Sequence, residues 1–142
     1  MGFALEKPEC IEGLLVDSAC SSTTPDGGFV KGDPITKTDY KTGRECTAVT
    51  DLVHGVLQYD LADPFYNKQL SVATEGQCEV TAAGAVNINE WVGLDATDKR
   101  KFTVLTPDPA GTTYRQAFRA LSEAVADGDK FIIEFEPQMI KV

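Results

Sequence analysis

Apolar and polar residues alternate along most of this chain, in short runs that end at Gly, Asp, Asn or Pro. A period of two places successive side chains on opposite faces of a strand, so the pattern predicts many short β-strands separated by turns. The clearest runs are Gly55–Tyr59, Gln69–Thr74, Ala85–Ile88, Trp91–Leu94, Lys101–Leu105 and Phe131–Phe135. The chain of 142 residues is therefore expected to form one mainly β domain, a small β-barrel or a sandwich.

One segment has the period of a helix instead. Its apolar residues are spaced as a single helical stripe: Tyr114, Ala117, Phe118, Leu121 and Val125. Thr113 and Gln116 fit a capping box, and Gly128 stands where a helix commonly ends. The pattern predicts one α-helix inserted in the β body at residues 114–126, with Arg115 and Arg119 on a neighbouring, solvated face.

The first 28 residues differ from the rest. Ser21–Gly28 is rich in Ser, Thr, Pro and Gly and predicts a flexible joint, so we expect an arm and joint at 1–28 and a β-rich body at 29–142. The arm carries an apolar patch made of Ile11, Leu14, Leu15 and Val16. An extended apolar segment of this kind can pair with the sheet edge of a partner. The alternative is that Gly13–Val16 is simply the first strand of the body.

The charge of the chain excludes one class of partner. Lys and Arg number 13 and Asp and Glu number 22, which gives a net charge of -9. A protein this acidic is not expected to bind nucleic acid. No stretch reaches the roughly 18 apolar residues of a membrane span, and the N-terminus lacks the pattern of a secretion signal, so we expect a soluble protein made in the cytoplasm.

The sequence offers little for catalysis. His54 is the only histidine, with Asp51 three residues away and Ser71 or Cys78 as nominal nucleophiles. A nucleophile elbow, a second histidine and a Cys-x-x-Cys pair are all missing from the sequence. We therefore expect no enzyme activity, no metal and no cofactor, and we interpret His54 as a turn residue.

The four cysteines are widely spaced, and we expect free thiols. Cys78 shares its parity with Leu70, Val72 and Val80, which is typical of a small core residue. A disulfide between Cys10 and Cys20 is the alternative. Trp91 is interpreted as a core or interface residue, in preference to a platform on which a sugar would stack.

The order of several short phrases resembles a known family. These phrases are Phe29–Ile35 with its Gly-Asp-Pro, His54–Leu57 with its Gly-Val, Leu70–Val80, Trp91–Asp95 and Asp127–Phe135. In this order they resemble the small head decoration, or capsid cement, proteins of tailed bacteriophages. The resemblance spans roughly residues 29 to 136; the long N-terminal arm and the predicted helix depart from it.

The resemblance implies a fold, a partner and a location. Such proteins form a small barrel or tulip-like sheet, assemble as homotrimers and sit at three-fold or quasi-three-fold positions on the outer surface of the capsid, where they contact the major capsid protein and stabilise the shell against DNA pressure. Within this expectation the arm residues bind the capsid, and Trp91, Arg115 and Arg119 are candidates for an oligomer or capsid interface. A phage tail or baseplate module, or a carbohydrate-binding β module, is the alternative.

Overall fold

The computed structural model describes residues 5–20, 28–62 and 68–142, and over these ranges it contains nine β-strands and no helix. The strands are β1 Lys7–Val16, β2 Pro34–Asp39, β3 Thr42–Glu45, β4 Val53–Leu57, β5 Gln69–Thr81, β6 Trp91–Leu94, β7 Phe102–Val104, β8 Tyr114–Ala120 and β9 Lys130–Lys141. The prediction of a mainly β chain is confirmed. Of the predicted strands, Ala85–Ile88 contributes only one isolated bridge, from Val86 to Ala124.

All nine strands belong to one sheet, in the order β1-β3-β2-β4-β5-β9-β8-β6-β7. The nine-stranded sheet as a whole is not a closed barrel, although the pairing of β1 with both β3 and β5 joins the first five strands in a ring. β1 pairs in parallel with β3 through Leu15 and Val16, and in antiparallel fashion with β5 from Lys7 to Leu15. The sheet that forms the body therefore includes the first strand of the chain.

This position of β1 corrects the expectation of a separate arm. Leu14 and Val16 are only 1% and 5% exposed, because they point into the apolar interior between β1, β2, β4 and β5. The alternative interpretation, in which Gly13–Val16 is the first strand of the body, is the one observed. Residues 21–27 of the predicted joint lie outside the described ranges.

The predicted helix at 114–126 is wrong, because Tyr114–Ala120 is strand β8 and pairs with β9. Ala117 pairs with Gln138, whereas Arg119 pairs with Glu134, so the register shifts between these two residues. Ala117 and Phe118 are both buried at this irregularity. Two adjacent buried residues have the i+3, i+4 spacing of a helical stripe, so the sequence pattern favoured a helix.

β5 connects the two halves of the sheet. Val72 and Ala73 pair with β4, and residues 77–81 pair with β9. Between these regions lies Gly76, whose φ of 88° is in the left-handed region. A Cβ at this position would collide with the backbone oxygen of Lys7. Glycine at this position therefore allows a local distortion within one long strand.

The buried side chains form two clusters. The smaller lies among the first five strands and contains Leu14, Val16, Cys20, Phe29, Ile35, Leu57, Leu70 and Val72. The larger cluster includes three aromatic rings in contact. The centre of the Phe118 ring lies 5.8 Å from that of Phe102, edge to face, and 5.0 Å from that of Phe135. Each cluster receives residues from β5, so this strand joins both parts of the core.

The Gly-Asp-Pro phrase has a structural role. Gly32 turns the chain at a φ of 97°, and Asp33 is 5% exposed. Arg100 donates to both carboxylate oxygens of Asp33, from Nε at 3.1 Å and from Nη2 at 2.8 Å, and Nη2 also donates to the carbonyl of Gly28. This bidentate pair fastens the start of β2 to the turn before β7.

Candidate functional site

The four apolar residues predicted to bind a capsid divide into two pairs. Leu14 and Val16 are core residues, whereas Ile11 and Leu15 are 53% and 50% exposed. The alternation along β1 sends one pair inward and the other outward. Only Ile11 and Leu15 are therefore available to a partner in the folded protein.

Ile11 lines a shallow groove of about 290 Å³. Pro8 and Tyr59 supply apolar walls, and Tyr59 is 71% exposed. At one end Lys31 lies 3.0 Å from a carboxylate oxygen of Glu6. We call the exposed residues Ile11, Leu15 and Tyr59, together with the partly buried Pro8, the β1 surface.

The structure brings two of the three other predicted interface residues together. Trp91 on β6 and Arg119 on β8 are cross-strand partners, and the guanidinium carbon of Arg119 lies 4.0 Å from the centre of the indole ring. Arg119 also donates to the carbonyl of Asn89 at 2.8 Å. Arg115 is placed differently, because its guanidinium donates to the carbonyl of Leu94 at 2.7 Å. Trp91 and Arg119 thus form one stacked unit, and Arg115 fastens β8 to β6.

The stacked pair ends a row that crosses five strands. Consecutive cross-strand partners in this row are Lys7, Gln77, Glu134, Arg119 and Trp91. Residues that pair directly across a sheet point to the same face, so the row is a polar strip with an aromatic end. Arg119 covers one face of the indole, and a sugar would have to displace it to stack there.

A larger groove, of about 650 Å³, lies beside this row. Its charged lining consists of Lys7, Glu9, Glu75, Glu134 and Glu136. Four carboxylates against one ammonium make the groove acidic, which opposes the approach of a phosphate backbone. In the described part of the chain there is no group of three or more His, Cys, Asp or Glu side chains that could hold a metal ion.

His54 occupies a bulge in β4. Ile35 pairs with Gly55 and Thr36 with Val53, so His54 is the extra residue between two pairs. A bulge redirects a side chain, and here the imidazole Nε2 contacts the carboxylate of Glu12 on β1. The second carboxylate oxygen of Glu12 lies 3.3 Å from Nζ of Lys37 on β2. The hydrogen bond from His54, together with that from Lys37, holds the pKa of Glu12 below its ordinary value.

The catalytic grouping considered from sequence is not assembled. Asp51 accepts hydrogen bonds from the backbone amides of Thr47 and Ala48, at 2.7 and 3.0 Å, instead of orienting His54. Cys78 is fully buried, and its sulfur lies 3.9 Å from the carbonyl of Glu75. His54 therefore belongs to a surface ion-pair cluster that the sequence pattern did not reveal.

All four cysteines are free, as expected, and the alternative disulfide between Cys10 and Cys20 is not formed. Burial raises the pKa of both Cys20 and Cys78 to about 12, and it raises the pKa of Cys46 as well. Cys10 is exposed, and the hydrogen bond to Glu75 and the charge of that carboxylate raise its pKa. The thiols are therefore protonated at neutral pH, which is unfavourable for nucleophilic chemistry.

Within the described ranges, no helix is long and apolar enough to cross a membrane. Comparison with known proteins does not assign the chain to a group. No protein-family model matches it, and no curated protein matches its sequence.

Proposed function

We propose that this protein is a capsid decoration protein that binds the outer surface of a tailed-phage head and stabilises the shell against the pressure of packaged DNA. In this proposal its partner is the major capsid protein, and it sits as a homotrimer at three-fold or quasi-three-fold positions. It acts by binding and needs neither an enzyme activity nor a cofactor.

The observation that supports the proposal is the exposure of the β1 surface. Ile11 and Leu15 remain half exposed on a strand whose other aliphatic residues, Leu14 and Val16, are buried. Between Lys7 and Gly13, the strand pairs only with β5 among the described residues, so its other edge is open there. Apolar side chains beside an open strand edge suit addition of a strand from a partner.

Symmetry strengthens such a contact. A trimer presents three copies of the β1 surface at once, so contacts that are weak singly become strong together. Binding of this kind rests on apolar and main-chain contacts. It should therefore tolerate moderate salt better than a contact with nucleic acid does.

The test compares purified heads assembled with and without this chain. Heads are heated or osmotically shocked, DNA release is measured, and imaging of labelled particles locates the protein. The proposal expects the protein on the outer shell and less DNA release when it is present. Equal release, with no protein on the shell, contradicts the proposal.

Surface variants connect this result to the β1 surface. The double variant Ile11→Asp with Leu15→Asp is expected to remain folded and to lose binding to heads. The matched control is Val125→Asp, because Val125 is 81% exposed and lies far from β1 in sequence. The control is expected to bind as the parent does, and a parallel loss in both variants would contradict a specific role for β1.

The alternative functions predict different results in the same experiments. A tail or baseplate module would be imaged on the tail. A carbohydrate-binding module would bind glycans in a way that depends on Trp91. Either result, together with heads that carry none of this protein, would contradict the decoration proposal and support the alternative.

A further inference from the structure

We propose that Glu12 is a latch that holds the first half of β1 against β2 and β4, and that protonation of this one carboxyl releases that half-strand. The inference concerns the fold alone and does not depend on the proposed function.

The need for a latch comes from the pairing of β1. Its contact with β3 is limited to Leu15 and Val16. From Lys7 to Gly13, the strand has a ladder only with β5 among the residues that the structure describes. A strand held along one edge opens more easily than one held along both.

Glu12 adds side-chain contacts where β1 has only one ladder. One carboxylate oxygen contacts Nε2 of His54 on β4, and the other lies 3.3 Å from Nζ of Lys37 on β2. A single side chain thus joins β1 to two strands with which β1 has no backbone pairing. The bulge at His54 is what brings the imidazole to this carboxylate.

The other groups around the cluster do not replace this carboxylate. On β3 the charged residues Arg44 and Glu45 pair with one another at 3.1 Å. On β5 the residue opposite Glu12 is Val72, which carries no charge. When Glu12 is protonated, the carboxylate that both Lys37 and His54 contact loses its charge, so the attraction that these contacts supply is lost.

Hydrogen exchange of the β1 amides tests the latch in the intact chain. The parent protein is expected to protect residues 7–13 at pH 7 and to lose that protection near pH 3, after correction for intrinsic exchange rates. Glu12→Gln is expected to exchange faster there already at pH 7, by about threefold to tenfold, as for the loss of two partly exposed ion pairs. In Glu12→Gln, the exchange rates of residues 7–13 are also expected to differ little between pH 7 and pH 3. Residues 131–135 of β9 are expected to remain protected in both proteins.

Glu9→Gln is the matched control, because Glu9 lies on the same strand, is exposed and pairs across to Glu75. It is expected to behave as the parent. Acid also weakens the ion pair between Glu6 and Lys31 beside β1, and the Glu12 variant separates the two effects. The latch proposal is contradicted if residues 7–13 exchange at the same rate in Glu12→Gln and in Glu9→Gln. It is also contradicted if acid speeds their exchange in Glu12→Gln as much as in the parent.

A second variant keeps the test decisive if Glu12→Gln does not fold. The double variant Lys37→Met with His54→Ala removes both donors and leaves the carboxylate in place. The same acceleration confined to residues 7–13 supports the latch. Unchanged exchange in this variant overturns it.

Discussion

The side-chain amide of Gln116 binds both backbone polar groups of Val53: its Oε1 accepts from the amide of Val53 at 2.7 Å, and its Nε2 donates to the carbonyl at 3.1 Å. Val53 begins β4 and Gln116 lies on β8, so this contact joins two strands that are not neighbours in the sheet. One amide side chain thus supplies the first residue of β4 with the two hydrogen bonds that a neighbouring strand would otherwise make.

Replacing Gln116 by Leu is expected to lower the free energy of unfolding. The change leaves the N–H and C=O of Val53 without their partners, which costs about 1–3 kcal/mol. Urea denaturation followed by circular dichroism measures it. Gln138→Leu, at an exposed position of β9, is the control and should change stability far less; equal losses would contradict the role of Gln116.

Asp33→Asn is expected to destabilise the protein by about 2–4 kcal/mol, since it removes the charged partner to which the partly buried guanidinium of Arg100 donates two hydrogen bonds. The exposed pair between Lys101 and Asp127 offers a comparison. Lys101→Met should lower the stability much less, because water screens an ion pair on the surface. Thermal or chemical unfolding of the two variants side by side checks the ranking, and a reversed order would show that the Asp33 pair is dispensable.

The dependence of stability on acid should include a contribution from Glu12. Its pKa in the folded protein is lowered from the ordinary value of 4.5, so the folded state holds the proton less tightly than the unfolded state does. The stabilisation is therefore fully present above pH 4.5 and is lost as the pH falls through the folded-state pKa. Unfolding free energies of the parent and Glu12→Gln should converge in acid; curves that stay parallel contradict this. Glu123→Gln, at an exposed position, is the control.

Thiol reactivity should distinguish Cys10 from the other cysteines. Cys10 is exposed, and Cys20, Cys46 and Cys78 are buried with raised pKa values. A chromogenic disulfide reagent is expected to label Cys10 in the native protein and all four cysteines in denaturant. Rapid labelling of a second cysteine without denaturant would show that the core around it is open.

Deletion of residues 1–20 is expected to unfold the chain, because it removes β1 and with it Leu14 and Val16 from the core. Each large buried aliphatic side chain that is removed typically costs about 2–5 kcal/mol. Circular dichroism and exchange of the β9 amides measure the result. A deleted protein that keeps the protection of residues 131–135 would restore the view of this segment as a separate arm.

The parts of the fold that sequence could predict are those with an unbroken local period. Trp91–Leu94 is β6 over the predicted residues, and Phe131–Phe135 lies within β9. At β8 the register shift beside Phe118 broke the strand period, so the local pattern favoured a helix. The partner of β1 could not be predicted, because a strand pattern does not specify which distant strand it joins.

The candidate sites also divide into features that the local sequence pattern could predict and contacts that it could not. The exposure of Ile11 and the burial of Leu14 follow from alternation once β1 is known to be a strand. The contact of His54 with Glu12 depends on a bulge and on residues that lie 42 positions apart, and Arg100 lies 67 positions from Asp33. Contacts across such separations are set by the register of the whole sheet, which local sequence does not encode.

The pairing of β1 with β5 also determines when this part of the sheet can form during synthesis. β1 leaves the ribosome before β5, so Leu15 must wait for Gln69 and Lys7 for Gln77. During that interval Leu14 and Val16 have no β5 to cover them, and an unpaired apolar strand is a site for aggregation. Completion of the core around Leu14 and Val16 therefore waits until β5 has been synthesised, so slow synthesis of the intervening residues would prolong the risk of aggregation.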